Sequence, residues 1–458
     1  MTDYIRLKKG LDLPISGSPD PVIKKDVISD VIAIKPTDFK GLIPRLLVKE
    51  GDAVLVGSPL FCSKVDPRIQ FTSPISGTIK EVVRGEKRKL LEIRIANDNR
   101  QEARSFKVEA PEKMNRNAIQ DLLLESGLWA CIKQRPYGIL ANPDSEPKAI
   151  FISGFNSAPL AANLDFVAKD ELQALQTGIN ALNKLTSGGV HLGLHQSNHA
   201  STPLHKLNNV KIHVFSGPHP SGNVGVQIHH VAPIQKGELV WTVQLHQVIF
   251  IGRLLMNRYC DFSQLVAITG PRAAAPAYVR ATVGMSMQAI ADQATTTAEG
   301  LQEGCPVRFV SGNVLTGTNV GENGYLGFFD NQVTLLTEGS YYEMFGWAKP
   351  FRCKKFSFSR AYFSWLAPKK QYAMDTNLNG GERAFVLSGY YEKVLPMHIF
   401  PVYLLKAILA GNIDKMEMFG IYEVIEEDLA LCEYICPSKI EVQDIISKGI
   451  DMMIKEMA

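Results

Sequence analysis

The sequence predicts a multi-domain protein of the α/β class, with a β-rich start, a middle of alternating strands and helices, and a small helical end. Three observations carry this. The chain has 458 residues, roughly three domains at about 150 residues each. Its hydrophobic fraction of 45% is that of folded globular domains, so it can bury a core. The apolar period changes along the chain, from alternation to strand–helix–strand to helix alone.

Composition also excludes function classes. Lys plus Arg total 49 and Asp plus Glu 46, a formal charge of +3. A dedicated nucleic-acid binder concentrates basic charge and is not expected. Seven cysteines spread over the chain read as reduced thiols rather than a disulfide framework. Met1 to Gly10 holds Arg6, Lys8 and Lys9 without an apolar run behind them, so no signal peptide is expected. The nearest membrane-span candidates are interrupted: Val243 to Met256 by His246 and Arg253, and Leu395 to Gly411 by His398 and Lys406.

Residues 1–112 read as a β domain. Gly51-Asp52 marks a turn, Val54 and Val56 alternate, Gly57 turns again before Leu60-Phe61, and Ser73 to Ile79 and Val82 to Gly85 follow. Short strands between Gly and Pro turns make a small barrel or sandwich. The order of turns resembles the barrel-sandwich fold of biotinyl and lipoyl domains. In such carriers one lysine at a hairpin tip is acylated, and Lys64 holds about that place. Its neighbours, Ser63 and Val65, are not those of a carrier lysine.

Residues 113–255 read as an α/β domain. Ala149 to Ser153 is a strand-like run ending at Gly154, and Leu172, Leu175, Ile179, Leu182 and Leu185 recur at helical spacing. Gly188-Gly189 is expected to stop that helix. Val190 to Leu194 and Val210 to Phe215 are strand-like, which argues for a parallel sheet. Residues 256–390 are richer in strands, with Val240 to Val243 just before and Leu265 to Thr269, Val307 to Ser311 and Val333 to Leu336 within; Ala277 to Ala298 includes helix-compatible spacing. Residues 391–458 read as helical over Val402 to Ala410, Glu426 to Cys432 and Val442 to Met457. In the last, Val442, Ile445, Ile446, Ile450 and Met453 share one face.

Nine of the ten histidines lie between His191 and His246. His191, His195 and His199 are spaced by four and could bind zinc from one face, although no carboxylate or thiolate joins them. The loop Ser216 to Gly225 could bring backbone N–H groups to a phosphate but matches no nucleotide fingerprint, and neither does Gly312 to Gly327. Cys432 and Cys436, followed by Pro437, fall on one helix face; an iron–sulfur cluster needs about four thiolates. The cysteines at 62, 131, 260, 305 and 353 show no cluster spacing. No nucleophile elbow or His-Glu-x-x-His pair is present.

Four strings together carry a resemblance. They are Ile-Arg-Leu-Lys-Lys-Gly-Leu-Asp-Leu-Pro-Ile from Ile5 to Ile15, Ser216 to Val231, Asn379 to Ala384, and Glu426 to Cys432 with Cys436-Pro437. Read with them, nearly the whole chain resembles the NqrA family of the bacterial Na⁺-translocating NADH:quinone oxidoreductases. The resemblance implies a peripheral subunit on the cytoplasmic face of the bacterial inner membrane, held there by partner subunits B to F. The complex passes electrons from NADH to ubiquinone and exports Na⁺. Its flavins (FAD, FMN, riboflavin) and iron–sulfur centres sit on other subunits, so no cofactor is expected on this chain. A distant likeness to the NADH-binding subunit of respiratory complex I implies a Rossmann-like middle and a ubiquitin-like β-grasp part within 256–390. Cys432 and Cys436 then resemble the remnant of a cluster site. His219, His229 and His230 are the expected contacts for quinone or a partner, and docking is the expected role. A carrier enzyme using Lys64 and a zinc enzyme using His191, His195 and His199 are the alternatives.

Overall fold

Alternation and glycine turns in the first hundred residues become two small antiparallel sheets. The computed structural model describes residues 3–109, 111, 113–294, 305–339, 341, 344–346, 352, 355–360, 363–386 and 388–457. One sheet orders Val31–Ile34, Leu90–Asn97, Gly77–Arg84 and Ala53–Val54; the other orders Pro44–Leu46, Pro59–Ser63 and Gln70–Thr72. Ile32, Ile34, Val54, Phe71, Ile79, Ile93 and Ile95 are buried between them. Leu60, Phe61 and Cys62 are buried in succession, because that strand is covered on both faces. Gly77 takes φ +155°, and a Cβ there would stand 1.9 Å from the Ala96 carbonyl oxygen. Only glycine lets the two strands close at that point.

The middle sheet has seven strands, in the order Asp3–Arg6, Lys211–Ser216, Val190–His195, Ile150–Ser153, Val240–Thr242, Lys133–Arg135 and Ile139–Leu140. The first five run parallel and the last two are antiparallel additions. The first strand of the chain therefore joins the middle sheet, with Tyr4 opposite Val214. The expected strands at 149–153, 190–194, 210–215 and 240–243 are all present within a residue or two. The helix Leu172–Asn183 is present too, but it ends at Lys184 in a right-handed conformation. Gly189, at φ +83°, instead turns the chain into the next strand.

Helices Leu172–Asn183 and Leu245–Asn257 cross at two glycines. A Cβ on Gly252 would stand 1.8 Å from the Ala174 carbonyl oxygen, and one on Gly178 would stand 2.5 Å from that of Val248. Backbone cannot retreat without moving a helix, so Gly252→Ala is expected to cost about 1–3 kcal/mol. A lowered urea midpoint with unchanged slope would show it.

Five strands follow in the order Ala277–Thr282, Ser263–Thr269, Gln332–Thr337, Val307–Ser311 and Thr318–Asn319. Ser263–Thr269 pairs parallel with Gln332–Thr337, and the other neighbours are antiparallel. The expected helical spacing over Ala277 to Ala298 is realised only at Met287–Ala291. Ala277–Thr282 is a strand, and Gly284 at φ +78° packs against the Ala33 carbonyl, which breaks the run. Residues 295–298 lie outside the described residues.

The C-terminal region is helical at Tyr391–Val394, Pro401–Leu409, Ile413–Met418, Ala430–Ile435 and Val442–Met457. All five residues of the expected apolar face of the last helix are buried. Glu426–Leu429 is a 3-10 turn leading into Ala430–Ile435, whereas the sequence predicts one helix over Glu426 to Cys432. Its first turn is tightened because Asp428 bends back to accept a 3.0 Å hydrogen bond from the Ile425 N–H. The helical core takes in Leu7, Tyr137 and Val226, so it is continuous with the middle domain.

Candidate functional site

In an open parallel sheet, ligands collect outside the carboxyl ends of the strands where the strand order reverses. Here that place is between Ile150–Ser153 and Val240–Thr242. The chain passes from Ile150–Ser153 to Val190–His195 on one side, and Val240–Thr242 lies on the other. A cleft of about 220 Å³ opens there, walled by Ser153 and Phe155 after one strand and by Gln244 to Gln247 after the other. Gln332 of the five-stranded sheet and Phe329 just before that strand close it from one side, and Glu427 closes it from the C-terminal region.

Its charges are mostly matched from within. The Lys133 ammonium stands 3.4 Å from the Phe329 ring centroid. Burial lowers its pKa, while Glu427, Asp330 and Asp38 oppose that shift. Arg135, 2% exposed, donates to Asp428 at 2.6 Å and to Glu427 at 2.5 Å. Asp428 is wholly enclosed. One of its oxygens would lie 2.4 Å from a Cβ on Gly225, in the first turn of helix Val224–Val231. The positive end of that helix, a natural anion site, is thus faced by the chain's own carboxylate.

Two cleft groups are not matched. Gln247 is fully buried, and neither its amide oxygen nor its amide nitrogen has a hydrogen-bond partner. His246, 3% exposed, leaves Nε2 without one; burial pushes its pKa down to about 3. Both belong to the first turn of helix Leu245–Asn257, whose N-cap residue Gln244 makes no side-chain cap.

Of the expected histidine, cysteine and lysine candidates, His219 alone borders this cleft, and both glycine-rich loops reach it, through Gly222 and Asn223 and through Gly312 and Asn313. Its Nδ1 hydrogen-bonds the Ser157 hydroxyl at 3.0 Å, and its backbone N–H donates to Asp12 at 2.8 Å. Burial holds its pKa down at about 4. His229 and His230 sit elsewhere, at the seam with the C-terminal helices. His229 Nδ1 donates to Glu423 at 2.6 Å, and its Nε2 accepts the His398 backbone N–H at 3.0 Å. His230 Nε2 donates to the Pro396 carbonyl at 2.8 Å. The tenth histidine, distant in sequence, completes this cluster.

The remaining candidates separate. His191 hydrogen-bonds His213 at 2.9 Å, His195 bonds Ser197 at 2.7 Å, and His199 meets the Tyr4 hydroxyl at 3.2 Å. The strand ends at His195, so His199 leaves the face that spacing by four implied. No group of three His, Cys, Asp or Glu among the described residues could hold a metal ion. Cys436 is the residue just after helix Ala430–Ile435, with φ −59° still helical and ψ 118° turning the chain away only beyond it. Both sulfurs meet Tyr391: its hydroxyl donates to the Cys436 sulfur at 3.0 Å, and the Cys432 thiol lies 4.0 Å from its carbonyl oxygen. Burial raises the Cys432 pKa, which keeps it a thiol. Cys353 lies outside the described residues. Lys64 is exposed at the start of the connection between Pro59–Ser63 and Gln70–Thr72, its N–H bound to the Ile43 carbonyl at 2.7 Å.

Lys133, Arg135, Gln247 and Asp428 were not among the sequence candidates. A signal existed for one of them. His246, Gln247 and Arg253 interrupt an otherwise apolar helix, and polar residues on a helix buried all round need partners or a function.

Residues 5–98 match the family described as NqrA N-terminal barrel-sandwich hybrid domain. Residues 114–258 match NqrA second alpha/beta domain, and residues 265–322 match NQRA C-terminal domain. Among curated proteins the chain is similar to the Na(+)-translocating NADH-quinone reductase A-subunit of Yersinia pestis bv. Antiqua (strain Angola), 38% identical over 445 residues, covering 96% of this chain and 97% of that protein. The proteins of that name from Vibrio atlanticus (strain LGP32) and Neisseria meningitidis serogroup A are each 34% identical, covering 99% of this chain and all of theirs.

Proposed function

The chain belongs to the NqrA family of Na(+)-translocating NADH-quinone reductase subunits, and we propose that it serves such a complex in a peripheral docking role without a redox cofactor of its own. The observation that carries this is identity of 34–38% sustained over nearly the full length. The peripheral reading is supported by the absence, among the described residues, of any helix long and apolar enough to cross a membrane. Subunits B to F would hold it on the cytoplasmic face of the inner membrane, where the complex couples NADH oxidation and ubiquinone reduction to Na⁺ export. Catalysis then belongs to the assembly and not to this chain alone.

The finer fold assignment is part of the same reading. Strand order supports a Rossmann-like middle domain and a β-grasp-like part within 256–390. The helices after residue 391 fit a relic of a cluster-bearing domain, with Cys432 and Cys436 as its trace. The seam at His229 and His230 and the cleft wall at His219 are the places to look for partner or quinone contact. The Lys64 carrier and the histidine zinc site gain no support from the relatives.

Deleting the chain from its native cell is the test. Membranes are expected to lose Na⁺-stimulated NADH:quinone activity, and complementation with the intact chain should restore it. Retained activity would reject the assignment.

A further inference from the structure

The first strand of the chain, Asp3–Arg6, forms one edge of the seven-stranded sheet. It pairs on one side only, parallel with Lys211–Ser216. Just past the strand, the Leu7 N–H donates to the Ser216 carbonyl at 2.7 Å. A parallel ladder engages alternate residues of a strand. Ile5 and Leu7 therefore face Lys211–Ser216, and the N–H and C=O groups of Tyr4 and Arg6 point away from the sheet. Among the described residues no hydrogen bond reaches those four groups. The opposite edge is the two-residue strand Ile139–Leu140, short enough to offer little to a further strand. The Asp3–Arg6 edge is left open.

The side chains at this edge set what can pair with it. Tyr4 and Arg6 share one face. With Lys8 they border a groove of about 730 Å³, which Gln196, Ser216 and Pro218 line as well. Tyr4 is 63% exposed. Arg6, Lys8 and Lys9 are exposed, and none of them is in an ion pair among the described residues. The next acid along the chain, Asp12, accepts the His219 N–H. A strand added here would lie along three unpaired cations. Two copies of this chain paired edge to edge would set those cations against each other, which cross-strand packing disfavours. An acidic strand complements them.

We propose that the Asp3–Arg6 edge takes up an extended, acidic segment of a partner protein as one more strand of the middle sheet. Backbone hydrogen bonds to Tyr4 and Arg6 hold the segment, and carboxylates facing Arg6, Lys8 and Lys9 select it. The inference rests on the docking role proposed above and names one surface through which docking occurs.

The test is amide hydrogen exchange on the full chain, alone and in the assembly purified from its native membranes, with carbodiimide coupling of that assembly as a second readout. In the chain alone the Ile5 and Leu7 amides should be protected, and those of Tyr4 and Arg6 should exchange freely. In the assembly Tyr4 and Arg6 should slow by about tenfold or more. Carbodiimide joins an amine directly to a carboxylate, and it should link Lys8 or Lys9 to an acid-rich stretch of a partner. Tyr4→Pro removes one outward N–H and leaves the ladder to Lys211–Ser216 intact. It should lose the slowing at Arg6, whereas Tyr4→Val should keep it. Arg6→Glu with Lys8→Glu should also lose the slowing, and serves should the proline variant not fold. The proposal is overturned if Tyr4 and Arg6 exchange in the assembly as they do in the chain alone, or if the slowing survives charge reversal. Slowing in the chain alone that grows with its concentration would mark a second copy and overturn it too. Failure to recover the chain with any partner would reject the docking role itself, and this proposal with it.

Discussion

Arg135→Met is expected to cost about 3–5 kcal/mol of folding free energy, read by urea denaturation at neutral pH. The guanidinium is 2% exposed, and its partner Asp428 is wholly enclosed. Removing the cation leaves that carboxylate buried without a counter-charge, and one Asp428 oxygen already lacks any hydrogen bond. Glu427, 38% exposed, can turn to water and should contribute less. The double variant Arg135→Met with Asp428→Leu is expected to recover most of the loss, since a buried ion pair is often replaceable by apolar groups. A double variant as unstable as the single would show that shape, and not charge, sets the cost. Arg135 lies on a strand of the middle sheet and Asp428 in the C-terminal region. The loss should therefore appear first as release of the C-terminal helices, with early proteolysis after residue 390.

That pair shows where sequence reading stops. The strands at Ile150–Ser153, Val190–His195 and Val240–Thr242 were legible because each is an apolar run bounded by turn residues. Helix Val442–Met457 was legible because its apolar face repeats at helical period. Arg135 and Asp428 are 293 residues apart, and His229 and His398 are 169 apart; no local pattern joins either pair. His219 was found through the density of the Ser216 to Val231 string, and it does border the cleft. His229 and His230 came from the same string, but helix Val224–Val231 carries them to the opposite end, against the C-terminal helices. Spacing by four placed His191, His195 and His199 on one face only while the strand lasted, and it ends at His195. Polar interruptions of the Val243 to Met256 helix were read as evidence against a membrane span. His246 among them, with its neighbour Gln247, also marks the wall of the cleft, because a helix enclosed on all sides keeps such polar side chains only at a cost.

The same burial makes acid the condition to which the fold should be most sensitive. His191, His219 and His246 are buried. Desolvation pushes His191 and His219 down to about 4 and His246 to about 3, from an ordinary 6.5. His191 is held down further by His213, whose ring stacks on it at 5.1 Å. Between pH 6.5 and 4 the unfolded chain binds protons at these positions that the folded chain does not. Stability therefore rises with pH across this window. The contribution is fully present above pH 6.5 and is lost as pH falls toward 4, on the order of 3 kcal/mol for each histidine. Carboxylates held low by ion pairs, such as Glu338 beside Arg308 and Glu417 beside Lys236, also favour higher pH. Their unfolded values are near 4.5, so most of their effect comes below pH 5. The stretch from pH 5 to 6.5 thus belongs mainly to histidine. These three rings should give urea unfolding free energies across it a slope of about three protons. His195 and His230, also lowered by burial, should add to it, and His219→Asn should remove about one. A flat profile from pH 5 to 7 would mean that these rings are solvated in the folded chain and that the enclosure of His219 and His246 beside the cleft is wrong.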